Sequence, residues 1–165
     1  MNKRRSFIKK TILGGVGAST LLSCETPKES GTKATYPRII STWNHGVSAN
    51  QEAWKYLMQG QSGLLAVEAG VKIPEADPKV RSVGYGGYPD REGIVTLDAC
   101  IMDKNNNCGS VSFLQYIKHP ISVAKLVMEE TPHIMLSGKG AFDFAVSKGF
   151  KKENLLTEAS KQDWI

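Results

Sequence analysis

Two short segments of this 165-residue sequence carry the side chains best suited to chemistry. Residues 41–46 combine hydroxyl, indole, amide and imidazole groups, which either line a binding site or cap and pack a local turn. Residues 82–90 contain three glycines, at positions 84, 86 and 87, which let the backbone approach another backbone or a ligand closely. The third glycine of a dinucleotide-binding loop is absent, and the segment leads into a predicted strand instead of a helix. We therefore expect a close backbone crossing or a ligand contact, and no nucleotide site.

Other common catalytic arrangements find no support in the residues. His45, His119 and His133 lack the spacing of metal ligands, and no CxxC motif occurs. No GxSxG motif supports a serine hydrolase, and Asp98 and Asp103 do not make a convincing glycosidase pair. The sequence thus predicts no metal site and no cofactor.

Cys100 and Cys108 lie on either side of a predicted turn at residues 103–107. Symmetry about that turn places Cys100 opposite about Gly109, so the register is close to that of a disulfide without clearly matching it. An exported protein could pair the two cysteines. Two free, half-buried thiols are the alternative, and the sequence leaves both open.

The first 24 residues resemble an export signal. Five of the 21 basic residues lie within the first ten positions. Without them the chain has 16 basic and 16 acidic residues, a net charge of zero. Basicity therefore gives no support to nucleic-acid binding. The uncharged core, residues 11–23, is shorter than the roughly 20 residues of a membrane span. Before this core, the run Arg4-Arg5-Ser6-Phe7-Ile8-Lys9 resembles a twin-arginine signal.

Cys24 follows Leu21-Leu22-Ser23, an order that resembles the lipobox of bacterial lipoproteins. A lipoprotein would carry acyl chains on Cys24 and be anchored to a membrane, whereas a plain signal peptide would make this cysteine incidental. Residues 25–36 are rich in Pro, Ser, Gly, Thr and Lys and predict a flexible tether. We expect an exported, periplasmic protein.

Residues 37–165 alternate strand and helix patterns. The capping box Ser48-x-x-Gln51 predicts the start of a helix that Gly60 ends, and a second helix should end before Pro74. The other predicted elements are a strand at 38–43, a hairpin of 94–102 with 109–116, a helix from Pro120 to Thr131, a short strand at 133–136, and helices at 141–147 and 158–164. This pattern predicts a layered α/β or α+β domain, with so few strands that we expect the first part of a longer fold.

Several stretches resemble one known family in order, spacing and residue type. In chain order they are Ser41-Thr42-Trp43-Asn44, Asn50-x-x-Ala53-Trp54, Ala66-Val67-Glu68-x-Gly70-Val71, Asp77-Pro78-x-x-Arg81-Ser82-Val83-Gly84-Tyr85-Gly86-Gly87-x-Pro89-Asp90, Thr96-Leu97-Asp98-Ala99-x-Ile101-Met102-Asp103, Gly109-Ser110-Val111, Pro120-Ile121-Ser122-Val123-Ala124, Met128-Glu129-x-Thr131-Pro132-His133 and residues 149–156. From about Pro37 onward the chain resembles glycosylasparaginase, an N-terminal-nucleophile hydrolase, in its α-chain part.

The resemblance implies a four-layer αββα sandwich, incomplete in this chain. It also implies a precursor that cuts itself before a Thr, which then becomes the first residue of a β chain and the nucleophile. That Thr attacks the side-chain amide of a small substrate, a glycosylated asparagine, and aspartate is released. The complete protein would be an (αβ)2 assembly.

This chain departs from the pattern because none of its nine Thr residues follows an Asp. A fragment of a longer precursor, a trimmed α chain and a truncated gene are three explanations, and the attached signal argues against the trimmed chain.

The resemblance assigns roles to four residues. Trp43 would line the substrate pocket, Ser82 would support the amino end of the missing Thr, and Thr42 and Asn44 are weaker substrate-binding candidates. Ser82 could instead cap its own loop. The alternatives to an amidase are an inactive truncated lipoprotein and a small-ligand binding module.

Overall fold

The computed structural model describes residues 37–165. The predicted export signal at 1–24, its Cys24 and the tether at 25–36 lie outside the described residues. The described part contains five helices and one three-stranded sheet. It therefore confirms the layered α/β class predicted from the sequence, and it is consistent with part of the four-layer sandwich.

Helices α1 (Gly46–Met58) and α2 (Gly63–Ala76) form a closely packed antiparallel pair. Gly70 of α2 faces α1, where an added Cβ would lie 2.6 Å from the carbonyl oxygen of Ala49. Small residues therefore let the two backbones touch. The side chains of Ala49 and Ala53 are buried at this contact, whereas Trp54 is 41% exposed. Trp54 therefore does not belong to the buried core.

The predicted capping box at the start of α1 was also wrong. His45 occupies the N-cap position, and the Ser48 hydroxyl donates to the His45 carbonyl oxygen at 2.8 Å. Ser48 is thus inside the first turn, because the N-cap lies three residues earlier than the sequence signal placed it. The predicted end is confirmed, since α1 stops at Met58 and Gly60 has a φ of 75°.

Helix α2 continues through Pro74, where we expected it to have ended. Proline removes one backbone donor but leaves the following residues able to turn once more. The extra turn is held from outside the helix, because the buried carboxylate of Glu75 accepts the Ile121 N–H. A tertiary contact has therefore overridden the local signal.

Strands β1 (Thr96–Met102) and β2 (Cys108–Gln115) form the predicted hairpin, and β3 (Met135–Ser137) pairs parallel with β2. The connecting turn is fixed by Asp103, whose Oδ1 accepts the N–H groups of Asn105 and Asn107. Strand β3 begins at Met135, two residues after the predicted start at His133, and ends at Ser137.

A bulge interrupts the hairpin between Leu97 and Ala99. There Phe113 has a φ of 51° and donates its N–H to Asp98 Oδ1 at 2.8 Å.

One face of the sheet carries helices α3 (Pro120–Glu130) and α4 (Gly138–Ser147), and the last helix, α5, spans Glu158–Trp164. The main core lies between this face and its helices, and its fully buried members include Val111, Leu114, Ile117, Val123 and Val127. The opposite face presents Asp98, Cys100 and Met102, which are exposed. Helices therefore cover only one side of the described sheet.

Residues 38–43 do not form the predicted strand. Residues 37–41 have no regular secondary structure, and Ile40 is 89% exposed. A strand needs a neighbouring strand to take its hydrogen bonds, and no described strand pairs with this segment. The strand prediction at 38–43 was therefore wrong for the described residues, among which the segment has no pairing partner.

Candidate functional site

Trp43 and Asn44 are held by the turn that starts α1. The Trp43 carbonyl accepts the Gly46 N–H at 2.8 Å, and Asn44 Oδ1 accepts the His45 N–H at 2.9 Å. The Trp43 indole is 72% exposed and stacks on the His45 ring, with centroids 6.3 Å apart and planes 4° from parallel. This segment thus presents an ordered aromatic surface to solvent.

Ser82 lies on the glycine-rich loop, which crosses the end of α2. The Tyr85 N–H donates to the Glu75 carbonyl at 2.8 Å, and the Gly86 N–H donates to the Leu155 carbonyl at 2.8 Å. Gly84 has a φ of 55°, and a Cβ there would overlap the Glu75 backbone. The close backbone crossing predicted from the glycines is confirmed.

Trp43, Asn44 and Ser82 line one cavity of about 490 Å³. Thr42, the fourth predicted residue, is exposed and does not line it. Within residues 37–165 the Ser82 hydroxyl makes no hydrogen bond, so the alternative in which it caps its own loop is not what the structure contains. The other lining residues are His45, Asp77, Lys79, Val80, Arg81 and Tyr88.

The cavity wall carries two positive charges and one negative charge. Arg81 Nε donates to Asp163 Oδ2 at 2.8 Å, and its guanidinium also contacts the Pro78 carbonyl. Asp77 Oδ1 accepts the backbone N–H of Lys79 at 2.9 Å. The arrangement suits a polar ligand that also offers an apolar surface to the indole.

Ser82 also lines a second cavity, of about 310 Å³, together with Glu75, Asp98 and Cys100. Burial raises the pKa of Glu75, and the hydrogen bonds from His119 and the Ile121 N–H offset this only in part. Ser82 therefore stands between two cavities, one of them containing a buried carboxylate. Sequence reasoning missed Glu75, because nothing in its neighbourhood marks it as buried.

A larger and mainly apolar groove of about 690 Å³ lies elsewhere, between residues 37–40 and helix α1. It is lined by Val47 and Trp54 among others and contains none of the four predicted site residues. Size alone therefore does not identify the candidate site.

The two cysteines of the described part are free thiols. Cys100 pairs across the hairpin with Ser110, and Cys108 pairs with Met102, so the cysteines are offset diagonally instead of facing each other. Of the two alternatives, the structure contains the free thiols.

Residues 37–165 contain no group of three His, Cys, Asp or Glu side chains placed to hold a metal ion. None of the helices described there is long and apolar enough to cross a membrane.

Comparison with protein families gives one match over most of the chain. The sequence model of a family described as asparaginase matches residues 29–165. Because the match includes every described residue, it applies to the whole structure presented above.

Two curated relatives show the same likeness. An N(4)-(beta-N-acetylglucosaminyl)-L-asparaginase of Elizabethkingia miricola is 54% identical across 99% of this chain and 49% of that protein. An enzyme of the same name from Rattus norvegicus is 42% identical across 78% of this chain and 38% of its own length. The chain thus spans at most about half the length of these relatives.

Proposed function

Since the chain belongs to the asparaginase family, we propose that it is the α portion of an exported amidohydrolase. The proposed enzyme cleaves the side-chain amide of a glycosylated asparagine and releases aspartate. Its nucleophile is a Thr supplied by a β part that corresponds to the half of the relatives not matched here.

The shared cavity is the observation that carries this proposal. Trp43, Asn44 and Ser82 come from segments about 40 residues apart in sequence, yet they line one cavity of about 490 Å³. They are also the residues to which the family resemblance assigns substrate and nucleophile contacts. The cavity thus combines an exposed indole with a hydroxyl that has no hydrogen-bond partner among residues 37–165.

In the proposed reaction the Thr hydroxyl attacks the amide carbonyl carbon, and the α-amino group of the same Thr accepts the hydroxyl proton. Hydrogen-bond donors stabilise the resulting oxyanion. The carbon–nitrogen bond breaks, the glycosylamine leaves with a proton, and water then hydrolyses the acyl-enzyme to aspartate. In this scheme Ser82 orients the amino group, and Trp43 provides an apolar wall with one N–H donor.

The β part would cover the exposed face of the sheet. That face presents Met102 and Cys100 to solvent in the described residues. A second sheet packed about 10 Å away would bury them and complete the sandwich. We propose that two such αβ units associate as (αβ)2.

The direct test joins this chain to the unmatched half of the Elizabethkingia miricola relative in one chimeric precursor. Aspartate release from N4-(β-N-acetylglucosaminyl)-L-asparagine is measured, with free L-asparagine as the second substrate. We expect release from the glycosylated compound. A folded chimera that releases aspartate from neither substrate refutes the proposal, and binding without release would instead support a small-ligand binding module.

Trp43→Ala in the same chimera tests the cavity. We expect KM to rise by about tenfold with the fold intact, because one good aromatic contact contributes on the order of 1 kcal/mol. Trp54→Ala is the matched control, since Trp54 lies outside this cavity, on the apolar groove. Equal effects of the two substitutions on kcat/KM would remove Trp43 from the substrate site.

A further inference from the structure

Glu75 is the charged side chain that residues 37–165 bury most completely, at 2% exposure. Its Oε1 accepts the Ile121 N–H at 3.1 Å, and its Oε2 lies 3.1 Å from His119 Nδ1. The carboxylate therefore ties the end of α2 to the start of α3.

The backbone of Glu75 holds the Ser82 loop as well. Its carbonyl accepts the Tyr85 N–H at 2.8 Å, and Gly84 packs on it with no room for a side chain. One residue thus contacts α3 through its side chain and the Ser82 loop through its backbone.

The Glu75 carboxylate differs from that of an exposed ion pair because it is buried. Lys72 lies close enough on the same helix to favour the charged form of Glu75, and His119, the N-cap residue of α3, contacts the carboxylate. Ser82 and Asp98 line the same cavity of about 310 Å³ as Glu75. Burying a carboxylate costs free energy, and these contacts offset that cost only in part. The raised pKa of Glu75 agrees with this.

We propose that Glu75 is a positioning residue of the candidate site, which fixes the Ser82 hydroxyl between the two cavities by clamping the Ser82 loop, α2 and α3 together. This inference rests on the proposed function, in which Ser82 orients the amino group of the nucleophile. Glu75 acts through Ser82 and does not contact the substrate.

Glu68 provides a matched control, because it lies two helical turns earlier on α2 and also ties that helix to α3. Its carboxylate accepts the Ser122 hydroxyl at 2.7 Å and pairs with Lys125 at 2.8 Å. It lines neither cavity that contains Ser82. Glu68→Ala should therefore weaken the same helix contact without moving Ser82.

The kinetic test uses the chimeric precursor described above. In Glu75→Ala we expect kcat to fall by about 10- to 100-fold with KM changed by less than about twofold, because small displacements of a catalytic group cost rate more than binding. Glu75→Gln, which can keep both hydrogen bonds, should restore most of kcat. Glu68→Ala should keep kcat. Equal losses of kcat in Glu75→Ala and Glu68→Ala overturn the proposal.

Amide hydrogen exchange supplies a second measurement that does not depend on activity. The Tyr85 and Gly86 amides should exchange at least about tenfold faster in Glu75→Ala than in Glu68→Ala. If the unmodified chimera is folded but inactive, the proposed function fails, while the exchange comparison still decides whether Glu75 holds the loop. If Glu75→Ala does not fold, His119→Ala replaces it, since it removes one partner and leaves the Ile121 bond. Unchanged exchange at Tyr85 in that variant overturns the clamp.

Discussion

Substituting Gly84 by Ala tests the backbone crossing on which the position of Ser82 depends. Gly84 combines two features that exclude a side chain: a φ of 55°, and a Cβ position that overlaps the Glu75 carbonyl. The first strains any L-residue, and the second pushes the loop away from α2. Both effects should therefore appear in one substitution.

The expected cost follows from adding these two effects. A left-handed conformation costs a non-glycine residue about 1–2 kcal/mol. Forcing a methyl group into a closely packed contact costs about 1–3 kcal/mol. Gly84→Ala should therefore lower the free energy of unfolding by about 2–5 kcal/mol, a large fraction of the total for a domain of this size.

Three other glycines separate the two effects. Gly60 has a φ of 75° and nothing within 4 Å, so Gly60→Ala tests strain alone. Gly109 has no positive φ, but its Cβ would overlap the Ala124 carbonyl, so Gly109→Ala tests crowding alone. Gly63 has neither feature, and Gly63→Ala in α2 should be neutral or stabilising by up to about 1 kcal/mol.

Urea denaturation of the full chain measures the four variants. We expect the midpoints to fall in the order Gly63→Ala, Gly60→Ala or Gly109→Ala, then Gly84→Ala, with m values unchanged. If Gly84→Ala costs no more than Gly60→Ala, the loop does not cross the backbone of Glu75 closely, and the reasoning about Ser82 fails with it.

Three further predictions concern other residues. Burial alone would raise the pKa of Glu68, but hydrogen bonds from Lys125 and a neighbouring hydroxyl outweigh it and lower that pKa. The Glu68 contribution to stability is therefore present above the ordinary glutamate pKa and is lost as the pH falls through the lowered pKa. In Glu68→Gln the free energy of unfolding should therefore fall less steeply between about pH 6 and pH 3. An unchanged pH dependence of the free energy of unfolding in that range would contradict this. Cys100 and Cys108 should both react with a thiol reagent in the native chain, Cys100 faster because it is exposed, and a chain that binds no reagent until it is reduced would show a disulfide instead. Cys24→Ala should release the full chain from the membrane fraction of a bacterial host if acylation anchors it, and retention there would defeat the lipoprotein proposal.

The sequence predicted the elements whose signals are local. The hairpin was predicted because residues 103–107 have turn chemistry, a β-rich segment follows them, and the segment before them alternates between two faces. The start of α3 was predicted because proline suits a first helical position, and Pro120 occupies it. These signals act within a few residues, so no knowledge of the rest of the fold was needed.

Two of the incorrect predictions share a physical cause, which is a contact made from far away in sequence. Helix α2 passes Pro74 because Glu75 is held by Ile121, 46 residues later. Trp54 follows the predicted helical spacing, yet the helix buries Ala49 and Ala53 against a glycine of α2. Periodicity gives the helix but does not show which face its neighbour will cover.

The candidate site was predictable only in part. The family resemblance selected Trp43 and Ser82, and the structure places both at one cavity. It could not select Glu75, because a carboxylate becomes buried through the elements around it and not through its own neighbours in sequence. His45, which stacks on Trp43, had a local signal, since it lies two residues later in the same polar turn.

The segment 38–43 and the uncovered face of the sheet have the same physical explanation. A β-rich segment without a neighbour and a sheet with exposed Met102 and Met135 both leave apolar or hydrogen-bonding groups in water. A complete domain can contain either an unpaired segment or an uncovered sheet face. Here both features occur in a chain that spans about half the length of its relatives. The unmatched half of those relatives is long enough to supply both a pairing strand and a covering sheet. The unpaired segment 38–43 and the exposed sheet face are therefore features whose partners the proposed β part would provide.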